Sequence, residues 1–212
     1  MKATIVKRVA ALAALAGAGS LQAHHSGSMY DPTPVWVQGT VVSFESIDPH
    51  TVTTLETRGA DGQLRFWGIE GPGDFQLVRL ELDTEVPEVG EVIDVCGFPY
   101  RSVEELSRMF PGGDFLSLRH VVGTDDPPTQ YLWGHLIVTE DGEKRLWNPH
   151  GLLSECIRSS DEPVEAWLGF VNSSPNVRQA WCTQRGYTNV QSNASRRDYV
   201  EEINASLDEP CE

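Results

Sequence analysis

The chain has 212 residues, of which 31 are Asp or Glu and 16 are Lys or Arg, so its formal net charge at pH 7 is −15. Such acidity repels phosphate backbones and anionic membrane surfaces, which argues against nucleic-acid binding. Beyond the N-terminal leader, no apolar run approaches the roughly 20 residues of a membrane-spanning helix. We therefore expect no transmembrane segment in the mature chain.

Residues 1–23 have the pattern of a secretory signal peptide. Three cations precede an apolar run over residues 9–21, which is rich in Ala and Leu and too short to span a bilayer comfortably. The small side chain of Ala23 favours cleavage directly after it. We therefore predict a periplasmic or secreted protein whose mature chain begins with His24 and His25.

Residues 24–123 have the pattern of a β-barrel-like domain. Five short segments are rich in β-branched and aromatic residues and are separated by Gly, Pro or Asp, which predicts strands. The five segments are residues 35–44, 50–58, 64–70, 91–98 and 115–122. Residues 73–83 suit a short helix or an irregular cover. This order predicts a small closed or half-closed barrel of the OB type, with a sandwich as the alternative.

The remaining chain changes character after residues 124–130, whose Asp and Pro content predicts a linker. Residues 131–147 predict a hairpin that turns at Asp141-Gly142. Short helices are predicted after Asp161, from Ser174-Pro175 and from Ser195. The fold class is therefore mainly β, with a hairpin and an α-helical C-terminal extension over residues 131–212.

The four cysteines predict structural disulfides. They are Cys96, Cys156, Cys182 and Cys211. An oxidising compartment and an even count favour two bridges, for which three connectivities are possible. In the fourth predicted strand, Ile93 and Val95 alternate and should face the core, which leaves Cys96 on the opposite face. We therefore expect Cys96 to pair with one of the three later cysteines and to join the two halves.

Several short motifs follow one another in the front half. They are His24-His25-Ser26, Tyr30-Asp31, the stretch from Gly39 to His50, Trp67 with Glu70, and Gly90, Gly97 and Arg101. Through them, residues 24–123 resemble a family of small exported bacterial proteins that mature at His-His-Ser. The resemblance implies a small barrel-like domain in the Gram-negative periplasm, without a settled activity. The family usually has Asn-Pro-His where this chain has Asp48-Pro49-His50, and residues 131–212 lie outside the resemblance.

A free N-terminal histidine is an unusual metal ligand, because its amine and its own imidazole can chelate one ion together. His25 adds a second mode, in which the amine, the intervening amide nitrogen and the second imidazole bind. Both modes supply nitrogen in tetragonal geometry, which suits Cu(II), with zinc as a competitor. We therefore expect Cu(II) to be the cofactor if any is bound.

A rigid site also needs a ligand from the folded domain, and His50 is the best candidate. Pro49 restricts the backbone before His50, and the Asp48 side chain can hydrogen-bond the backbone two residues on. The same Pro-His dipeptide recurs at His150, which is the second choice. The alternative is that Asx-Pro starts an ordinary turn and that the terminal histidines merely lead into the domain.

Catalytic signatures are missing from the sequence: there is no Gly-x-Ser-x-Gly, His-Glu-x-x-His or phosphate-binding loop. Trp67 and Glu70 are candidates for a groove, although a strand Trp is usually core and a Glu on the alternating face is usually solvated. His120 and His135 lie in strand-like runs and are expected on a pleat face.

These patterns lead to one expected function and two alternatives. We expect a periplasmic, non-catalytic binding protein that holds copper through His24, His25 and His50 or His150. The first alternative is an interaction module without metal, in which the barrel face and the acidic back half meet another exported protein or a small ligand. A hydrolase or oxidase with an unrecognised site is the third class.

Overall fold

The computed structural model describes residues 29–47, 50–79, 86–109, 111, 130–148, 153–184, 194–208 and 211. Within these ranges the chain forms six strands and six helices. The strands are β1 (Val35–Ile47), β2 (His50–Arg58), β3 (Leu64–Pro72), β4 (Val92–Pro99), β5 (Gln130–Thr139) and β6 (Lys144–Leu146). The helices are α1 (Asp74–Arg79), α2 (Val103–Met109), α3 (Leu153–Ser159), α4 (Val164–Ser173), α5 (Pro175–Gln184) and α6 (Ala194–Ala205).

Five of the described strands close into a barrel. β1 pairs antiparallel with β2 and β4, β2 pairs with β3, and β4 pairs with β5. The ring closes where β3 and β5 run parallel, from Trp67 opposite Gln130 to Glu70 opposite Trp133. β6 adds a sixth strand beside β5. The predicted OB-like barrel with a helical extension is thereby confirmed, in place of the sandwich.

The closing strand differs from the prediction. Residues 115–122, the predicted fifth strand, lie outside the described residues. The barrel is closed instead by β5, which the sequence analysis assigned to the hairpin after the linker. That hairpin does form, since β5 and β6 pair and Gly142 takes the positive φ of 85° at their turn. β5, the first strand of this hairpin, is buried on both faces, because one face belongs to the barrel core and the other packs against the helical extension.

The barrel interior is filled by side chains that alternate along the strands. The core residues are Val37, Val41, Leu55, Ile69, Leu77, Ile93, Val95, Leu132, Ile137 and Trp147. Leu77 comes from α1, which forms within the segment that was predicted as a helix or cover. Removal of this apolar surface from water is the main favourable term that holds the strands together.

The helices after β6 pack against the outer face of β4 and β5. A second core forms there from Cys96 and Leu136 of the barrel together with buried residues of α3 to α6. Ile93 and Val95 face the barrel interior, so the predicted division of faces on β4 is confirmed. Cys96 is bonded to Cys156 in α3, and Cys182 is bonded to Cys211. The first bridge therefore links the barrel covalently to the extension.

None of the helices in the described ranges combines the length and the apolar character required to cross a membrane.

Candidate functional site

A small third cluster lies on the outside of the barrel, where β3 and β4 end and β5 begins. Its members are Met29, Tyr30, Phe98 and Leu106, with Tyr100 and Trp133 packed against them. The segment before β1 runs along the end of β4 as a short antiparallel bridge, with Tyr30 opposite Tyr100. The amide of Asp31 donates to the Pro99 carbonyl, and the amide of Arg101 donates to the Met29 carbonyl.

Glu70 lies beneath this layer and is only 8% exposed. Its Oε2 accepts hydrogen bonds from the hydroxyls of Tyr30 and Tyr100, each at 3.0 Å, and the two hydroxyl oxygens are also 3.0 Å apart. The expectation that Glu70 is solvated was wrong. Tyr30 lies 40 residues earlier in the chain and covers the carboxylate, which no local pattern around residue 70 could indicate.

His50 lies beside the same carboxylate. Its Nδ1 is 3.1 Å from Oε1 of Glu70 and 3.4 Å from the carbonyl oxygen of Gly71. Strand register explains the contact, because His50 pairs with Pro72 and Val52 pairs with Glu70, which puts His50 and Glu70 on one face as diagonal neighbours. Both groups that face Nδ1 are acceptors, so these contacts suit a hydrogen on Nδ1. A neutral imidazole with its hydrogen on Nδ1 has its lone pair on Nε2.

Aromatic rings support the hydrogen-bonded groups. The ring of Tyr30 stacks on Trp133 with centroids 4.8 Å apart and lies 4.5 Å from the ring of Tyr100. Trp133 in turn meets the edge of His135 at 4.4 Å. His135, expected on a pleat face, is fully buried between Trp133 and Phe98. The cluster is therefore a packed platform that holds Tyr30 over Glu70.

Both tyrosine hydroxyls stay protonated. Burial raises the pKa of Tyr30 and of Tyr100 well above the ordinary value for tyrosine, and the nearby carboxylate of Glu70 raises both pKa values further. A phenolate in this place would be desolvated and would face a negative charge. The two hydroxyls therefore act as hydrogen-bond donors to Glu70 and not as anionic metal ligands or bases.

The structure tests the predicted metal ligands only in part. His50 is described and half-buried, whereas His24, His25 and His150 lie outside the described residues, as does His120. Within the described ranges, no group of three or more His, Cys, Asp or Glu side chains is arranged to hold a metal ion. His50 and Glu70 are the pair that the folded domain offers at this site. Any metal held at His50 would need further ligands from elsewhere in the chain.

Comparison with known proteins gives a match to one family model over part of the chain, and that family has no assigned activity. Residues 11–107 match DUF6152, a family of unknown function. The DUF6152 match covers just under half of the chain and includes Tyr30, His50, Glu70 and Tyr100, whereas Trp133 and the helical extension lie beyond it. The comparison with curated proteins finds no match.

Sequence reasoning found some members of the site and missed others. His50 was selected for its Pro-His turn, and Tyr30 and Glu70 stood among the residues of the family resemblance. Tyr100 and Trp133 carried no signal. Tyr100 follows β4 and Trp133 lies in β5, and the closure of β5 against β3 and β4 brings both to Glu70.

Proposed function

We propose that the protein is an exported, non-catalytic binding protein that holds Cu(II) between its mature N-terminus at His24 and the imidazole of His50. The observation that carries the proposal is the 3.1 Å contact of His50 Nδ1 with the buried Glu70. Histidines that bind metals commonly donate their other ring N–H to a carboxylate, which fixes the tautomer and makes the ligating nitrogen more basic. Nε2 of His50 is then the nitrogen suited to the metal.

The position of the N-terminal segment supports the proposal. Met29 and Tyr30 lie against the barrel beside Glu70, and His24 precedes Met29 by five residues. An extended chain advances at most about 3.6 Å per residue, so the amine of His24 can move no further than about 18 Å from Met29. This short tether keeps the terminal chelate at a high effective concentration near His50.

The chemistry of the ligands favours copper. The amine and imidazole of His24, a nitrogen contributed by His25 and Nε2 of His50 would make a nitrogen-rich tetragonal set. His150 is the second choice for the fixed ligand. The two disulfides are compatible with the oxidising compartment in which the proposal places the protein.

The experiment needs an authentic N-terminus. The protein is secreted, its first residue is established by intact mass, and Cu(II) is titrated against a competing chelator. His24→Ala and His50→Ala each remove one proposed ligand. The sharpest variant inserts Gly-Ser-Gly between Ala23 and His24, because it keeps every side chain but abolishes both terminal modes. We expect this insertion to weaken binding at least about tenfold, or ~1.4 kcal/mol. Binding that is indifferent to the insertion would refute the proposal.

The alternative function is recognition of an exported protein or a small ligand without metal. α1 begins two residues after Pro72, the strand partner of His50, and it presents two apolar side chains to solvent. Phe75 is 76% exposed and Val78 is 66% exposed. This alternative would be favoured if the protein failed to bind Cu(II) and if Phe75→Ser bound an exported protein or a small ligand more weakly than the natural protein.

A further inference from the structure

We propose that the interior of the barrel is a binding site for one structural water molecule, which bridges the side chains of Thr51 and Trp147. The site lies behind the surface that carries His50 and Glu70, because Thr51 follows His50 and successive side chains of a strand point to opposite faces. Neither Thr51 nor Trp147 is a proposed copper ligand, so this inference is independent of the proposed function.

Two polar atoms in the interior lie near each other without a direct hydrogen bond. Thr51 is fully buried and Trp147 is 1% exposed, and no described residue offers a partner to Oγ1 of Thr51 or to Nε1 of Trp147. Both atoms lie beside Gly71, which is the strand partner of Thr51. A Cβ at residue 71 would be 2.4 Å from Nε1 and 2.6 Å from Oγ1. The two atoms are therefore no more than about 5 Å apart, a separation that one water molecule can bridge.

The chemistry of the two groups suits a water molecule. The indole N–H can only donate a hydrogen bond, whereas the hydroxyl of Thr51 both donates and accepts. One water can accept from Nε1 of Trp147 and also bond Oγ1 of Thr51, and two polar partners are sufficient for a buried water. Because buried polar groups in folded proteins are almost always hydrogen-bonded, a bridging water accounts for both atoms at once.

The water joins two parts of the described chain that belong to different pairs of strands. Thr51 lies in β2, which pairs with β1 and β3, whereas Trp147 directly follows β6, which pairs with β5. The ring of Trp147 meets the ring of Phe44 in β1 edge-on, with centroids 6.2 Å apart. The water therefore adds a polar link to this aromatic contact and ties the segment after β6 to the opposite wall of the barrel.

Thr53 provides a matched control. It lies on the same interior face of β2, is 1% exposed, and its hydroxyl also has no partner among the described residues. Its strand partner, however, is Ile69, whose side chain belongs to the barrel core, and not a glycine. Thr53→Val therefore replaces a hydroxyl in apolar surroundings by a methyl group of similar shape and removes no bridge.

The first experiment counts the long-lived internal waters by oxygen-17 magnetic relaxation dispersion, which exchanging hydroxyl protons do not affect. The amplitude should fall by one water in Thr51→Val and in Trp147→Phe, and it should stay unchanged in Thr53→Val. Thr51→Ser keeps the hydroxyl and should keep the water. An unchanged amplitude in both Thr51→Val and Trp147→Phe, or an equal fall in Thr53→Val, would overturn the proposal.

Unfolding in urea gives an independent measurement whose sign is decisive. If the hydroxyl of Thr51 is bonded to a water, Thr51→Val should raise the equilibrium constant for unfolding about fivefold or more, because it also deprives the indole N–H of its bridge. Thr53→Val should leave this constant unchanged or lower it. A Thr51→Val variant that is as stable as the natural protein would contradict the bridge.

A crystal structure of the natural protein keeps the proposal testable even if the variants fail to fold. We expect an ordered water within hydrogen-bonding distance of both Nε1 of Trp147 and Oγ1 of Thr51. Electron density that shows the two side chains well ordered and no water between them would overturn the inference.

Discussion

The bridge between Cys96 and Cys156 should contribute more to stability than any single packing contact. It closes a loop with a sequence separation of 60 residues, whereas the bridge between Cys182 and Cys211 closes one of 29. In the chain-entropy model, closing these loops raises the free energy of the unfolded state by about 4.3 kcal/mol and about 3.6 kcal/mol, respectively, at 25 °C. Replacement of Cys96 and Cys156 by Ala should therefore lower the free energy of unfolding by about 4 kcal/mol.

The assay is equilibrium unfolding in urea, followed by tryptophan fluorescence and by far-ultraviolet circular dichroism. Because the first bridge joins the barrel to α3, its loss should also separate the two signals, so that the extension unfolds at a lower urea concentration than the barrel. The Cys182→Ala/Cys211→Ala variant is the control, since its bridge lies within the extension. A loss below about 1 kcal/mol for the Cys96 pair, with coincident transitions, would contradict the reasoning.

Four further predictions concern two glycines, one tyrosine and the N-terminal histidine. A Cβ at residue 97 would lie 2.2 Å from the carbonyl oxygen of Trp133, so Gly97→Ala should destabilise the barrel by about 3 kcal/mol or more. Gly169→Ala, at an exposed position of α4, adds a Cβ that meets no atom within 4 Å and should instead stabilise the protein by about 0.5–1 kcal/mol. Urea midpoints that do not move in opposite directions in the two variants would contradict both predictions. Burial raises the pKa of Tyr199 to about 12, so the stability that Tyr199 contributes to the folded state is complete below pH 10 and is lost as the pH rises through 12. In urea titrations, the free energy of unfolding of Tyr199→Phe should therefore fall less over this pH range than that of the natural protein. Copper affinity should rise between about pH 6 and 8, as the amine and imidazole of His24 lose protons; a flat titration would exclude the terminal chelate.

Much of the local structure could be predicted from the sequence. Alternation of β-branched and polar residues located β1 to β4, and Ser174-Pro175 located the start of α5, because these signals depend on neighbours two to four residues away. The same alternation placed Cys96 on the face opposite Ile93 and Val95, and the structure confirms that this face meets the extension. Whether His24 and His25 bind a metal stays a prediction.

Only the tertiary structure decided which strand closes the barrel and what covers Glu70. The pattern of residues 131–139 shows a strand but not its partners, since hydrogen bonding between strands is almost independent of side-chain identity. Glu70 alternates like a solvated residue, and it is buried because Tyr30 and Tyr100 reach it from distant parts of the chain. The sequence by itself therefore indicated β1 to β4, the hairpin of β5 and β6, and the helices α1, α4, α5 and α6, whereas it gave no prediction for α2 and α3. The closing of the chain into a barrel decided which of those side chains meet, because contacts between residues 30, 50, 70 and 100 have no periodicity along the chain.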